Sequence, residues 1–108
     1  MAMKIYWTDF SKAELRNIFD YYKPLAGLNK SRKLIAGIIN SAELLCKQPN
    51  MGQVEFLLSE RSEEFRYLVY KNYKLIYWIN AEADRIEIVD VFDTRQNPID
   101  KVRSIEKD

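Results

Sequence analysis

Apolar and polar positions alternate most regularly between Phe65 and Pro98. The stretch reads F-R-Y-L-V-Y, then Y-K-L-I-Y-W-I, then R-I-E-I-V-D-V-F, with polar breaks at Lys71-Asn72 and at Ala81 to Asp84. Each run has the length and the aromatic, β-branched content of a strand, and each break has the length of a reversal. The pattern predicts a three-stranded antiparallel meander that ends in a polar cluster, Asp93-Thr94-Arg95-Gln96-Asn97, closed by Pro98.

The period changes before the meander. Lys4 to Trp7 alternates like a short strand, and Thr8 or Asp9 offers an N-cap for a helix. Leu15, Ile18, Phe19 and Tyr22 recur at helical spacing, which predicts a helix over Phe10 to Tyr22 that stops before Pro24. A short connection, Leu25 to Asn29, leads to a second helix over Ser31 to Lys47 with Ile35, Ile38, Ala42 and Leu45 on its apolar stripe. Gly37 interrupts that helix, and close helix packing would explain it. Pro49 to Gly52 is a stop signal. Gln53 to Glu63 carries no clear period and reads as a loop crossing an end of the sheet, with Phe56 to Leu58 tucked beneath it. After Pro98, Ile99, Val102 and Ile105 suggest a last short helix or an unstructured tail.

The order is thus β-α-α-β-β-β(-α), an α+β domain spanning 1–108 in which a helical hairpin packs on one face of a small antiparallel sheet, with the first strand at an edge.

Composition narrows the chemistry. The chain of 108 residues is 47% hydrophobic and 31% charged, the balance of a folded globular domain. No apolar run approaches the roughly 20 residues of a membrane span. The first residues lack a signal-peptide pattern, so a cytoplasmic location is expected. There is no histidine, which excludes a Ser-His-Asp triad, a Cys-His dyad and most zinc sites. Cys46 is the sole cysteine and reads as a small packed hydrophobe. No phosphate loop, dinucleotide fingerprint or ligand cluster points to a cofactor or metal. Net charge is only +1, yet Ser11 to Gln48 holds seven Lys/Arg against three Asp/Glu. That basic helical layer is either a solvated face or one turned toward phosphates or an acidic partner.

The remaining candidates are cations on strands. Arg66, Lys74 and Arg95 would suit a phosphate if they converged. Convergence depends on register. A two-residue turn at Lys71-Asn72 pairs Lys74 with Val69 and puts Arg66 and Lys74 on opposite faces. A three-residue turn through Tyr73 pairs Lys74 with Tyr70 and puts them on one face. The shared-face register is the expectation here, since Asn72 tolerates the left-handed geometry such a turn needs. Tyr73 and Tyr77, with Tyr67, Tyr70 and Trp78, are able either to stack on bases or to fill a core. Gln96 and Asn97 would bind a backbone or close the turn before Pro98.

In order, A-x-L-x-x-I-x-x-Y-Y (Ala13 to Tyr22), a second helix ending in Leu45 and P-x-x-G (Pro49 to Gly52), R-x-L (Arg66 to Leu68), Y-K-L-I-Y (Tyr73 to Tyr77), I-E-I-V-D-V-F (Ile86 to Phe92) and D-x-R-Q-N-P (Asp93 to Pro98) resemble the RelE/ParE superfamily of type II toxin–antitoxin toxins. The resemblance implies a small bacterial toxin neutralised by a cognate antitoxin. It also implies one of two activities. RelE-like members act on the ribosome and cleave mRNA with basic residues on the sheet, which here would be Arg66, Lys74 and Arg95 as catalytic groups. ParE-like members poison DNA gyrase. Lys74 stands where the RelE pattern has an arginine, and Leu68 where it has a first-strand lysine. The tyrosine after the last strand and the histidine of some relatives have no match. The resemblance is therefore to ParE-like gyrase inhibitors, with the mRNA endoribonuclease as the alternative. Tyr73, Tyr77, Gln96 and Asn97 are the candidate binding residues.

Overall fold

The computed structural model describes residues 3–95. A five-stranded sheet carries two helices on one face. Its strands are β1 (Lys4–Trp7), β2 (Gln53–Val54), β3 (Arg66–Tyr70), β4 (Tyr73–Asn80) and β5 (Arg85–Asp93), in the order β1-β5-β4-β3-β2. The helices are α1 (Asp9–Ala26) and α2 (Leu28–Glu43), and a 3-10 turn at Leu44–Cys46 extends the second. The expected α+β architecture and the central meander are present. The sheet is mixed rather than antiparallel, because β1 lies parallel to β5, pairing Lys4 with Arg85 and Trp7 with Ile88. The excursion through both helices and the meander brings the chain back in the same sense, as a crossover does. The suggested last helix, with Gln96, Asn97 and Pro98, lies outside the described residues.

Thr8 caps α1, its hydroxyl accepting from the Ser11 N–H at 3.1 Å. The helix does not stop before Pro24 but runs through it to Ala26. Pro24 stands in the last turn, where its missing N–H forfeits one bond and the Gly27 N–H still reaches the Lys23 carbonyl at 3.0 Å. Gly27 is the whole connection. At φ 90 it ends one helix while its carbonyl accepts the Ser31 N–H of the next, and the left-handed angle is why a glycine stands there. The expected five-residue loop is thus one residue long, and α2 begins three residues early.

Ile38, Ala42 and Leu45 are fully buried against Tyr73, Leu75, Tyr77, Ile86, Ile88 and Val91. Gly37 is explained by the sheet, not by α1: an added Cβ would collide with the Tyr70 hydroxyl. The opposite sheet face has its own cluster of Leu58, Phe65, Ile76 and Phe92. The segment after Gly52 does not merely cross the sheet. It contributes β2, paired with Arg66 and Tyr67, and then a 3-10 turn at Phe56–Leu58. Of that turn only Leu58 is buried, at 2% exposure, whereas Phe56 is 79% exposed.

Candidate functional site

The register of the β3–β4 hairpin decides which candidates meet. Tyr70 pairs with Tyr73 and Val69 with Lys74, so the turn is the two-residue one and the shared-face expectation is overturned. Lys71, not Asn72, takes the left-handed conformation at φ 54. Burial accounts for the outcome. In this register Tyr73, Leu75 and Tyr77 all point at the helices, where each is at most 2% exposed. A slip by one residue would turn Lys74 and Trp78 into that core.

Arg66 consequently sits on the helix-side face, at the end of β3 away from the hairpin turn. Its guanidinium donates to the Gly52 carbonyl at 2.8 Å and the Asn50 carbonyl at 3.3 Å, and pairs with Glu64 at 2.8 Å. It ties the Pro49 to Gly52 corner to the sheet. Lys74 is on the opposite face. Its ammonium contacts the carboxylate of Glu55 and lies 4.1 Å from the centre of the Tyr67 ring. The Glu55 side chain is 6% exposed and Lys74 only 18%, so this pair is largely withdrawn from water.

Arg95 follows β5 at the hairpin-turn end of the sheet. It grips Asp93 with its backbone N–H at 2.8 Å and with Nε at 2.9 and 3.0 Å. Asn72 donates to the same carboxylate at 3.1 Å. The Arg95 guanidinium holds Asp93 at about 2, below the carboxylate's ordinary 3.8, and Asn72 adds to the shift. Asp93 in turn pushes Arg95 further up. Nearby, burial and a hydrogen bond with Tyr22 push the Tyr73 hydroxyl far above its usual value. A cavity of about 450 Å³ adjoins this corner, lined by Asn17, Ile18, Tyr21, Asp93 and Arg95 among others.

Arg66, Lys74 and Arg95 thus occupy three separate places, and each has a carboxylate beside it: Glu64, Glu55 and Asp93. Tyr73 and Tyr77 are core residues with 2% and no exposure, so neither ring is open to a stacking base. The Tyr77 hydroxyl donates to the Pro49 carbonyl at 2.8 Å and accepts the Gly52 N–H at 3.0 Å. Cys46 is half-buried, its thiol donating to Glu43 at 3.4 Å; burial first, then that carboxylate, push it up and away from a reactive thiolate. Among the described residues no group of His, Cys, Asp and Glu has metal-binding geometry, and no helix is long and apolar enough to cross a membrane.

Sequence reasoning missed Glu55 and Glu64 as partners. Glu55 lies in the stretch without periodicity, and only the fold brings it under β4, while Glu64 stands just after that stretch, two residues before Arg66. Asp93 was missed as the partner of Arg95 too, although an acid two residues before an arginine at a strand end is a local pattern that could have found it.

No curated protein matches the chain. Among solved structures, the chromosomal ParDE toxin–antitoxin system from P. aeruginosa has a chain with the same fold, at a TM-score of 0.70 and 23% identity, covering 85% of this chain and 96% of that one. The model of the ParE toxin of type II toxin–antitoxin system, parDE, matches residues 5–98. With nearly every described element inside that match, the chain belongs to the ParE toxin family of type II toxin–antitoxin systems.

Proposed function

We propose that this ParE-type toxin acts in the cytoplasm by poisoning DNA gyrase, is silenced by a cognate antitoxin, and does not cut mRNA. One observation carries the choice between the two activities: each cation that RNA cleavage would use is matched by a carboxylate, and the three do not converge. Cleavage at a ribose 2′-hydroxyl needs positive groups aimed at the charge that develops on the phosphate. A carboxylate against each cation cancels that field and repels the substrate at close range. Lys74 is further removed from the task, because its ammonium is held between Glu55 and Tyr67 on one face while Arg66 fastens a corner on the other.

Inhibition by binding makes no such demand. It needs a stable scaffold and an exposed surface complementary to the target. The test is to induce the chain in bacteria lacking its antitoxin while following protein synthesis, mRNA integrity and DNA-damage signalling. The expected result is gyrase-dependent DNA breakage and damage signalling with translation initially intact. Rapid arrest of translation with cut mRNA would overturn the proposal and restore the endoribonuclease reading. Co-expression of the cognate antitoxin is expected to restore growth.

A further inference from the structure

The segment between β2 and β3 turns two large apolar side chains toward water. Phe56 is 79% exposed and Leu57 49%, and among the described residues no large apolar side chain is more exposed than Phe56. The turn that carries them is nevertheless held firmly. Its next residue, Leu58, is buried in the same cluster as Phe65. The Glu55 N–H donates to the Phe65 carbonyl at 2.8 Å, and the Ser59 N–H closes the turn on the Phe56 carbonyl at 3.2 Å. The Glu55 carboxylate accepts the Leu57 N–H at 3.3 Å while it contacts the Lys74 ammonium. A largely buried ion pair thus fixes a backbone whose side chains face outward. Val69, 56% exposed, is the cross-strand neighbour of Lys74 and adds apolar surface on that face. The segment is also acidic. Gln53 to Phe65 holds four carboxylates and one arginine. Glu55, Glu63 and Glu64 are paired with Lys74, Arg61 and Arg66. Among the described residues the exposed Glu60 forms no salt bridge.

We propose that this turn is the toxin's contact with its target enzyme, Phe56 and Leu57 entering an apolar pocket of that enzyme and Glu60 meeting a basic rim. The inference rests on the gyrase reading, under which the partner is DNA gyrase. A projecting side chain needs a cavity to receive it, and a folded protein supplies one. A helical or extended segment presents a ridge instead, and a ridge suits a groove. The acidic surroundings repel nucleic-acid phosphates. They complement an enzyme that handles DNA and is therefore basic where it does so. An aromatic anchor at the centre of a protein interface carries a large share of its binding energy. Fixing the turn beforehand, through Leu58 and the Glu55–Lys74 pair, removes the cost of ordering it on binding. Leu58 and Phe65 place the turn with the sheet face opposite the helices, so the target is reached without using the helical hairpin.

The experiment measures binding of the purified toxin to purified DNA gyrase holoenzyme for the wild type, Phe56→Ser and Glu60→Lys. Thermal melts and antitoxin binding of each protein check that the scaffold is intact. Both side chains are exposed, so both variants should melt with the wild type and bind antitoxin equally well. Phe56→Ser is expected to weaken gyrase binding about tenfold or more. Glu60→Lys should weaken it about threefold at low salt, a difference that disappears at about 0.5 M salt. In cells without antitoxin, Phe56→Ser should lose gyrase-dependent DNA breakage at inducer levels that stop wild-type growth. Equal gyrase affinity in the wild type and Phe56→Ser would overturn the inference and leave the gyrase reading standing. Loss of antitoxin binding in Phe56→Ser, with gyrase binding and melting unchanged, would overturn it by reassigning the turn to the antitoxin. Sedimentation of the free toxins tests a second copy of the chain: a wild-type dimer that Phe56→Ser splits, again with gyrase binding unchanged, would also overturn it. If the wild type binds no gyrase, the gyrase reading itself fails and the inference falls with it.

Discussion

Replacing Lys74 by Met separates a structural cation from a catalytic one. The substitution keeps most of the side chain's length but leaves the Glu55 carboxylate, 6% exposed, without its counter-charge. Removing one partner of a fully buried pair costs about 3–5 kcal/mol. Lys74 retains 18% of its surface, so solvent already screens part of the interaction and the lower end applies. The lost contact with the Tyr67 ring, 4.1 Å away, adds roughly 0.5 kcal/mol. The expected cost of Lys74→Met is about 3 kcal/mol, which for a domain of this size lowers Tm by about 12 °C. Glu55→Gln in the same background removes the orphaned charge while the amide oxygen still accepts the Leu57 N–H that Glu55 holds at 3.3 Å. The double variant should therefore return to within about 1 kcal/mol of wild type. Thermal and urea unfolding followed by circular dichroism measure all four members of the cycle. A Lys74→Met protein within about 0.5 kcal/mol of wild type, or a double variant no better than the sum of the singles, would show that the two charges are not coupled in the folded protein. Toxicity is a second readout. The double variant should stay toxic, because the scaffold is restored and no phosphate chemistry is lost.

Two further outcomes are expected. The Asp93 carboxyl is held at about 2 by Arg95 and Asn72, against an ordinary 3.8, so its contribution to stability is full above the unfolded value and fades as pH falls from there through about 2. Urea midpoints measured between pH 5 and pH 2 should accordingly fall more steeply in the wild type than in Asp93→Asn, and parallel slopes would show that Asp93 is not held in solution. Gly52→Ala should destabilise by about 2–3 kcal/mol, since its Cβ would lie 2.7 Å from the Tyr67 carbonyl and collide with the Tyr77 hydroxyl. Gly37→Ala should cost less by the same unfolding assay, because only the Tyr70 side chain stands in its way and a helix prefers Ala.

Local pattern carried the architecture. Leu15, Ile18, Phe19 and Tyr22 mark α1 by spacing alone, and the three apolar runs of the meander became β3, β4 and β5. Register and strand direction depend on long-range contacts, and there the pattern fell short. Nothing in Lys4 to Trp7 says that β1 runs parallel to β5. Pro24 disfavours helix in its own neighbourhood, yet in a last turn it forfeits little and α1 continues. The hairpin turn differs from expectation because Asn72 is the better left-handed residue, whereas burial of Tyr73, Leu75 and Tyr77 outweighs the cost of placing Lys71 at φ 54. The candidate site was least legible. Its cations were visible, but the faces of Arg66 and Lys74 are set by that register, and the acid that neutralises Lys74 comes from a stretch without period.

The parallel pairing of β1 with β5 also sets an order on biosynthesis. Lys4 leaves the ribosome early and can take its place beside Arg85 only after both helices and the meander have been made. The α1–α2 hairpin can form during translation, but the sheet it covers is finished from its two distant ends. A nascent toxin therefore spends most of its synthesis incomplete, with the helices' apolar faces awaiting Tyr73, Leu75, Ile86 and Ile88.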